Sequence, residues 1–120
     1  MAEHNDFGKI GEEKAYQYLL KKGYKIRARN FQYKKAELDL VAEKNNKLIV
    51  VEVKTRSSEF FENPKEAVTL RKQKQIILGA NAYIEEFDIH MECQFDVVSV
   101  VIVDGKVDIE HIEDAFMPLL

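Results

Sequence analysis

The sequence has almost no cysteine and no long apolar run, and each absence excludes a class of protein. Cys93 is the only cysteine in 120 residues, so no internal disulfide forms and a reducing cytoplasm is the expected compartment. No stretch approaches the roughly 20 apolar residues of a membrane-spanning helix. The N-terminal MAEHNDFGK lacks an apolar segment, so no signal peptide is expected. Repeats, low-complexity tracts and linkers are also missing, which predicts one domain over residues 1–120.

The net charge of −3 is unevenly distributed along the chain. Residues 1–80 hold 17 Lys and Arg against 11 Asp and Glu, whereas residues 81–120 hold 1 against 10. Seven basic residues and no acidic one fall within positions 21–35: Lys21, Lys22, Lys25, Arg27, Arg29, Lys34 and Lys35. A stretch of this kind is either a phosphate-binding face or ordinary solvated surface.

The spacing of apolar residues predicts an α/β domain with element order α-β-β-β-α-β-β, in which helices flank a central mixed sheet. The first helix is expected over about 7–22, capped by Asn5 or Asp6 and ended by Gly23 in a left-handed conformation. Strands are expected over 24–31, 36–43, 48–55, 95–103 and 107–112. The second helix is expected to start near Asn63-Pro64. The helix between the third and fourth strands predicts a crossover connection.

Acidic residues recur on two neighbouring predicted strands. Glu37 and Asp39 lie two apart, as do Glu52 and Lys54, so each pair is expected to share a face of its strand. A two-residue Asn45-Asn46 turn places residue 44 opposite 47, hence 39 opposite 52 and 37 opposite 54. Asp39 and Glu52 are then direct neighbours, with Cβ atoms about 5 Å apart.

Three carboxylates and one ammonium within an apolar sheet require an explanation. Two carboxylates 5 Å apart repel by roughly 3 kcal/mol at an effective dielectric of about 20. A bound Mg²⁺ removes this cost, since it prefers oxygen ligands and supplies positive charge. Metal-assisted hydrolysis is the chemistry that such a site performs on phosphodiesters. The alternative is that Glu52 and Lys54 are only the polar face of an amphipathic strand, with Glu37 and Lys54 forming an ion pair.

Further candidates flank this cluster. Glu12 shares a helical face with Ala15 and Leu19, so it is expected to point toward the sheet and the metal; the alternative is an acid that only complements the helix dipole. The expected phosphate contacts are Arg29, Arg56, Lys72 and Gln73, each with ordinary surface as the alternative. His4, His90 and His111 match no metal-ligand spacing and are interpreted as structural or surface residues.

The motifs together resemble those of a known family. They are Phe7-Gly8, Gly11-Glu12, Ala15, Arg29-Asn30, Glu37-Leu38-Asp39-Leu40, Val51-Glu52-Val53-Lys54-Thr55-Arg56, Arg71-Lys72-Gln73, Phe95-Asp96-Val97-Val98 and Ala115-Phe116. In this order and spacing they resemble the YraN-like family of small bacterial proteins, which is similar to the restriction-endonuclease-like PD-(D/E)xK nucleases. Ala36 and Gln94 depart from the family pattern, which usually has Gly and Arg there.

The resemblance implies a function and a role for each acid. It implies that Asp39, Glu52 and Glu12 hold Mg²⁺ or Mn²⁺, that Lys54 is the catalytic lysine, and that Glu37 is the acid preceding the catalytic aspartate. The nearest pattern is that of Holliday junction resolvases, which implies a homodimer acting on branched or structured DNA. A non-catalytic nucleic-acid-binding or adaptor module on the same fold is the alternative.

Overall fold

A computed structural model describes residues 2–57 and 68–118 of the chain, with side chains from Asp6 onward. Within these described residues, two helices and five strands follow the predicted order. They are α1 (Ala2–Lys21), β1 (Lys25–Tyr33), β2 (Ala36–Lys44), β3 (Lys47–Arg56), α2 (Leu70–Glu86), β4 (Glu92–Val103) and β5 (Lys106–Phe116).

The five strands form one mixed sheet in the spatial order β1-β2-β3-β4-β5. Strands β1, β2 and β3 form an antiparallel meander, and β4 and β5 pair in the same antiparallel way. Only β3 and β4 are parallel, because α2 carries the chain from the end of one to the start of the other. The predicted α/β class and mixed sheet are confirmed.

The start of the first helix differs from the prediction. Helix α1 begins at Ala2, five residues before the expected start. The expected start of the second helix at Asn63-Pro64 lies outside the described residues. Helix α2 begins at Leu70, where Thr69 is extended and its Oγ1 accepts a hydrogen bond from the Lys72 amide at 3.2 Å.

The predicted turns are confirmed by backbone conformation. Gly23 has φ of +89°, and the amides of Gly23 and Tyr24 donate to the carbonyls of Leu20 and Leu19, each at 3.0 Å, which closes α1 with a Schellman motif. Asn45 and Asn46 have φ of 53° and 62°, as a type I′ hairpin turn requires.

Two apolar clusters lie on opposite faces of the sheet. On one face α1 contributes Ala15 and Leu19, which pack on residues of the central strands such as Val51. On the other face α2 contributes residues such as Ile76 and Tyr83. The sheet is therefore a buried middle layer, and a polar side chain inside it loses its water unless it lies at a strand end. Within the described residues, neither helix has the length and apolar character that crossing a membrane requires.

Gly11 lets α1 approach the end of β3. A Cβ atom at this position would lie 2.6 Å from Thr55 Cγ2 and closer still to the Thr55 hydroxyl. No side chain fits between the helix and the strand at this point. The contact places the neighbouring Glu12 at the strand end that carries Glu52 and Lys54.

We expect Gly11→Ala to destabilise the protein by about 1–2 kcal/mol, because the overlap with Thr55 outweighs the helix propensity gained. Gly8→Ala is the matched control, since a Cβ there meets nothing within 4 Å; it should gain up to about 1 kcal/mol. Urea unfolding midpoints measure both. Equal stabilisation by the two substitutions would contradict the close approach.

Candidate active site

Strands β2 and β3 separate at the point where the acidic residues begin. The pairing follows the predicted register from Lys44 opposite Lys47 as far as Leu40 opposite Val51. The next position differs, because Asp39 Oδ2 accepts a hydrogen bond from the Val53 amide at 2.8 Å. A side-chain carboxylate thus binds a backbone amide of the neighbouring strand, and the two strands form a fork.

The fork affects two predictions: which residues of β2 share a face, and which residues pair between β2 and β3. Leu38 packs in the α2 cluster whereas Leu40 packs in the α1 cluster, so the alternation of β2 shifts by one residue around Asp39. The regular alternation from which Glu37 and Asp39 were predicted to share a face is therefore interrupted here. The predicted pairing of Glu37 with Lys54 does not form, because the ladder between β2 and β3 ends at Leu40 opposite Val51.

Asp39 and Glu52 nevertheless meet, as predicted. Glu52 is only 7% exposed. Burial, the charge of Asp39 and a hydrogen bond to its carboxyl group raise the pKa of Glu52 to about 8. Burial also raises the pKa of Asp39, although the Val53 amide opposes that shift. Because the amide favours ionised Asp39, the physical picture is a protonated Glu52 that donates to the Asp39 carboxylate.

Two lysines lie beside this pair. Lys72 Nζ of α2 is 3.6 Å from Glu52 Oε2. The charges of Lys72 and Lys54 both oppose the rise in the carboxyl pKa values. The start of α2 thus contributes to the site, and the sequence prediction that Lys72 lies near it agrees with this geometry.

Glu12 and Glu37 lie together on the α1 side of the fork. With the Asn30 amide oriented so that its nitrogen faces them, Asn30 donates to Glu12 Oε1 and to Glu37 Oε2, both at 3.2 Å. Burial, followed by the charge of Asp39, raises the pKa of Glu12. Glu12 is therefore directed inward as expected, whereas Glu13 is exposed and binds Gln17 and Arg29.

The donor set fits a magnesium-type ion with few protein ligands. Asp39 and Glu52 supply hard carboxylate oxygens, and Mg²⁺ commonly binds through one or two carboxylates while keeping several waters. Across residues 2–57 and 68–118, no three acids, histidines or cysteines converge tightly enough to hold an ion by themselves. Glu12 is a neighbour of the carboxylate pair and is held by Asn30, so its predicted role as a third ligand stays a prediction.

The other predicted phosphate contacts occupy different environments. Arg29 Nη2 lies 3.0 Å from Glu13 Oε1, and its guanidinium lies over the Tyr16 ring at 4.3 Å. Gln73 Nε2 donates to the Val68 carbonyl at 3.0 Å and so braces the start of α2. Arg56 is half-buried at the end of β3. Of these three residues, Arg56 lies nearest in the sequence to the acidic pair.

The basic stretch 21–35 does not form one face. Lys21 ends α1 and Lys22 follows it, close to the β2–β3 turn, whereas Lys34 and Lys35 form the β1–β2 turn. These two turns lie at opposite ends of β1, which spans roughly 26 Å at about 3.3 Å per residue. The lysines at 34 and 35 lie at the end that carries the acidic pair, and those at 21 and 22 lie at the other.

The buried pair of Asp96 and His111 was not predicted from the sequence, although His111 was interpreted as structural or surface. The side chain of His111 is 93% buried, and its Nε2 lies 2.7 Å from Oδ2 of the fully buried Asp96. His90 is exposed as expected, and the side chain of His4 lies outside the described residues. A lone Asp inside the apolar run 95–103 was the available signal, because a buried carboxylate requires partners.

We expect the metal-free protein to lose stability as pH rises from 5 to 8. Glu52 has a folded pKa above its unfolded value, so its contribution is fully present below about 4.5 and is lost through about 8. The loss should be on the order of 3 kcal/mol, since most of the range from pH 5 to 8 lies between the two pKa values and each unit is worth about 1.4 kcal/mol. Urea unfolding with a chelator at several pH values measures it.

Glu52→Gln should flatten this pH dependence. Glu13→Gln is the control, because hydrogen bonds to Gln17 and Arg29 lower the pKa of Glu13, which therefore titrates below the range tested. If the wild type and Glu52→Gln showed the same slope, the strained carboxylate pair would be disproved.

Comparison with known proteins places the chain in a family. The model of the uncharacterised protein family UPF0102 matches residues 11–100, a segment that holds every acid and lysine of the fork. The UPF0102 protein of Phocaeicola vulgatus is 51% identical over 118 residues, covering 98% of each chain. That of Bacteroides thetaiotaomicron is 48% identical over 120 residues, covering 100% of this chain and 99% of its own. That of Christiangramia forsetii is 44% identical over 116 residues, covering 97% of this chain and 98% of its own. The chain therefore belongs to the UPF0102 family, the YraN-like family that its motifs resemble.

Proposed function

We propose that this protein is a divalent-metal-dependent nuclease that hydrolyses phosphodiester bonds of DNA in the cytoplasm. One observation supports this most strongly: two carboxyl groups, Asp39 and Glu52, are buried against each other at a fork in the sheet, with Lys54 and Lys72 beside them. A fold without a ligand for this pair gains nothing from such a costly arrangement.

Each residue at the fork has a proposed role that follows from its chemistry. Asp39 and Glu52 would hold Mg²⁺ or Mn²⁺, which when bound supplies an activated water and neutralises charge on the phosphate. Lys54 orients the attacking water or stabilises developing negative charge. Glu12 and Glu37, bridged by Asn30, keep an acidic wall on the α1 side. Lys72 is placed to exchange its contact with Glu52 for a substrate phosphate.

The substrate class follows from the surface around the fork. Lys34, Lys35, Arg56 and Lys72 all lie at this end of the sheet, so phosphates on both sides of the scissile bond have cationic partners. Branched or structured DNA, cut by a homodimer, is the form of this proposal that the family resemblance favours.

A non-catalytic nucleic-acid-binding or adaptor module is the second candidate. It is favoured by one observation: Asn30 holds Glu12 by a hydrogen bond. The two candidates differ in whether a metal ion binds to the protein alone, and this difference is measurable.

Calorimetric titration of Mn²⁺ should show binding to the wild type and at least tenfold weaker binding to Asp39→Asn, because an amide replaces an anionic ligand. DNA cleavage should disappear in the same variant. Asp108→Asn, on the far edge strand β5, is the control and should behave as wild type. Absence of Mn²⁺ binding, both alone and with DNA present, would favour the binding module.

Lys54→Ala should retain Mn²⁺ binding and lose about 10²–10³-fold in cleavage rate, since it removes a charge that acts in the transition state. Lys74→Ala, an exposed lysine on α2, provides the control. Single-turnover cleavage of flapped, linear and four-way DNA measures both variants. A Lys54→Ala protein that cuts at the wild-type rate would remove this residue from the mechanism.

A further inference from the structure

A second polar site lies at the opposite end of α1 from the acidic fork. It is a cavity of about 350 Å³ between the last turns of α1, the β2–β3 turn and β5. The lining residues used below are Tyr18, Lys22, Tyr24, Lys44, Lys47 and His111. Lys22 is ten residues from Glu12, so the cavity is about 15 Å along the helix from the acids.

A buried chain of hydrogen bonds leads into this cavity. Asp96 is fully buried; its Oδ1 accepts from Gln94 Nε2 and from the Asp114 amide, each at 3.0 Å, and its Oδ2 lies 2.7 Å from His111 Nε2. The carboxylate fixes the imidazole so that Nδ1 meets the Tyr18 hydroxyl at 3.2 Å. The chain therefore ends on a phenol at the cavity wall.

The Tyr18 phenol positions the aromatic wall of the cavity and is not a nucleophile. Burial and the charges of Glu113 and Asp96 raise the pKa of Tyr18, which keeps its hydroxyl protonated. Because Asp96 accepts from His111 Nε2, the Tyr18 hydroxyl donates to Nδ1 of the ring, and this bond fixes the phenol at the cavity wall.

Cations dominate the lining of the cavity. Three lysines line it, against the single carboxylate of Glu113. Lys22 Nζ lies over the Tyr18 ring at 5.7 Å, and Lys44 Nζ lies over the Tyr24 ring at 4.8 Å, so aromatic rings restrain two of the ammonium groups. Lys47 is 3.9 Å from Glu92, an exposed pair that costs little to exchange.

We propose that this cavity binds the phosphate monoester of a nucleotide, either free or at the end of a DNA strand. A doubly charged phosphate matches the three ammonium groups of the lining better than a singly charged carboxylate does. The volume exceeds that of a phosphate ion alone and falls in the range of small-molecule sites. The DNA-end form rests on the proposed nuclease function, and it places a terminal phosphate about four stacked nucleotides, at 3.4 Å each, from the acids.

The test is an NMR titration in chelator, following the His111 ring signals, with deoxyadenosine monophosphate and with deoxyadenosine as the phosphate-free control. The monophosphate should bind and the nucleoside should not. The double variant Lys22→Gln/Lys47→Gln should bind at least tenfold more weakly, while Lys74→Gln/Lys106→Gln, two exposed lysines that do not line the cavity, should bind normally.

Oligonucleotides with a 5′-phosphate or a 5′-hydroxyl identify the source of the monoester. Preference for the phosphorylated oligonucleotide over the free monophosphate supports a DNA end, and the reverse order supports a free nucleotide. Equal binding with and without the phosphate, or equal loss in both lysine pairs, would overturn the proposal. The titration is repeated on Asp39→Asn without metal, so that failure of the nuclease and failure of this cavity are read separately.

Discussion

The hydrogen bond from the Val53 amide to the Asp39 carboxylate is the interaction on which the candidate active site depends. An antiparallel ladder would otherwise satisfy this amide with a backbone carbonyl, and β2 and β3 would remain paired to their ends. By accepting the amide, Asp39 opens the two strands just where Glu52 arrives from β3. The opening admits acids from both faces of the sheet, with Glu12 and Glu37 on one side and Glu52 on the other.

The buried carboxyl pair at this opening lowers the stability of the metal-free protein. A buried carboxyl pair is tolerated in the metal-free protein because one group carries a proton, and this is a poor use of core space unless a cation replaces that proton. The two clusters on either face of the sheet provide the apolar burial that pays for this cost. Polar function thus concentrates at the ends of the elements, while their middles supply the packing.

The sequence allowed a good prediction of the hairpin and a poor one of the fork. Asn45 and Asn46 fixed the register, because both adopt the left-handed conformation that a two-residue turn needs. The fork could not be predicted, because the alternation of polar and apolar residues does not show where a side chain replaces a backbone hydrogen bond between two strands. The linear basic stretch was misleading for a related reason: a hairpin sends sequence neighbours to opposite ends of the sheet. The start of α2 depended on Thr69, a cap no stronger in the sequence than Asn63.

The close approach of α1 to β3 links two positions that are 44 residues apart in the chain. Gly11 is tolerated in mid-helix only because Thr55 occupies the space that a side chain would fill. A smaller residue at 55 would leave a void that a methyl group at 11 fills, so the effects of changes at the two positions are not additive. Sequence variation in this fold is therefore constrained by pairs of positions, and the permitted residue at 11 is set by the residue at 55.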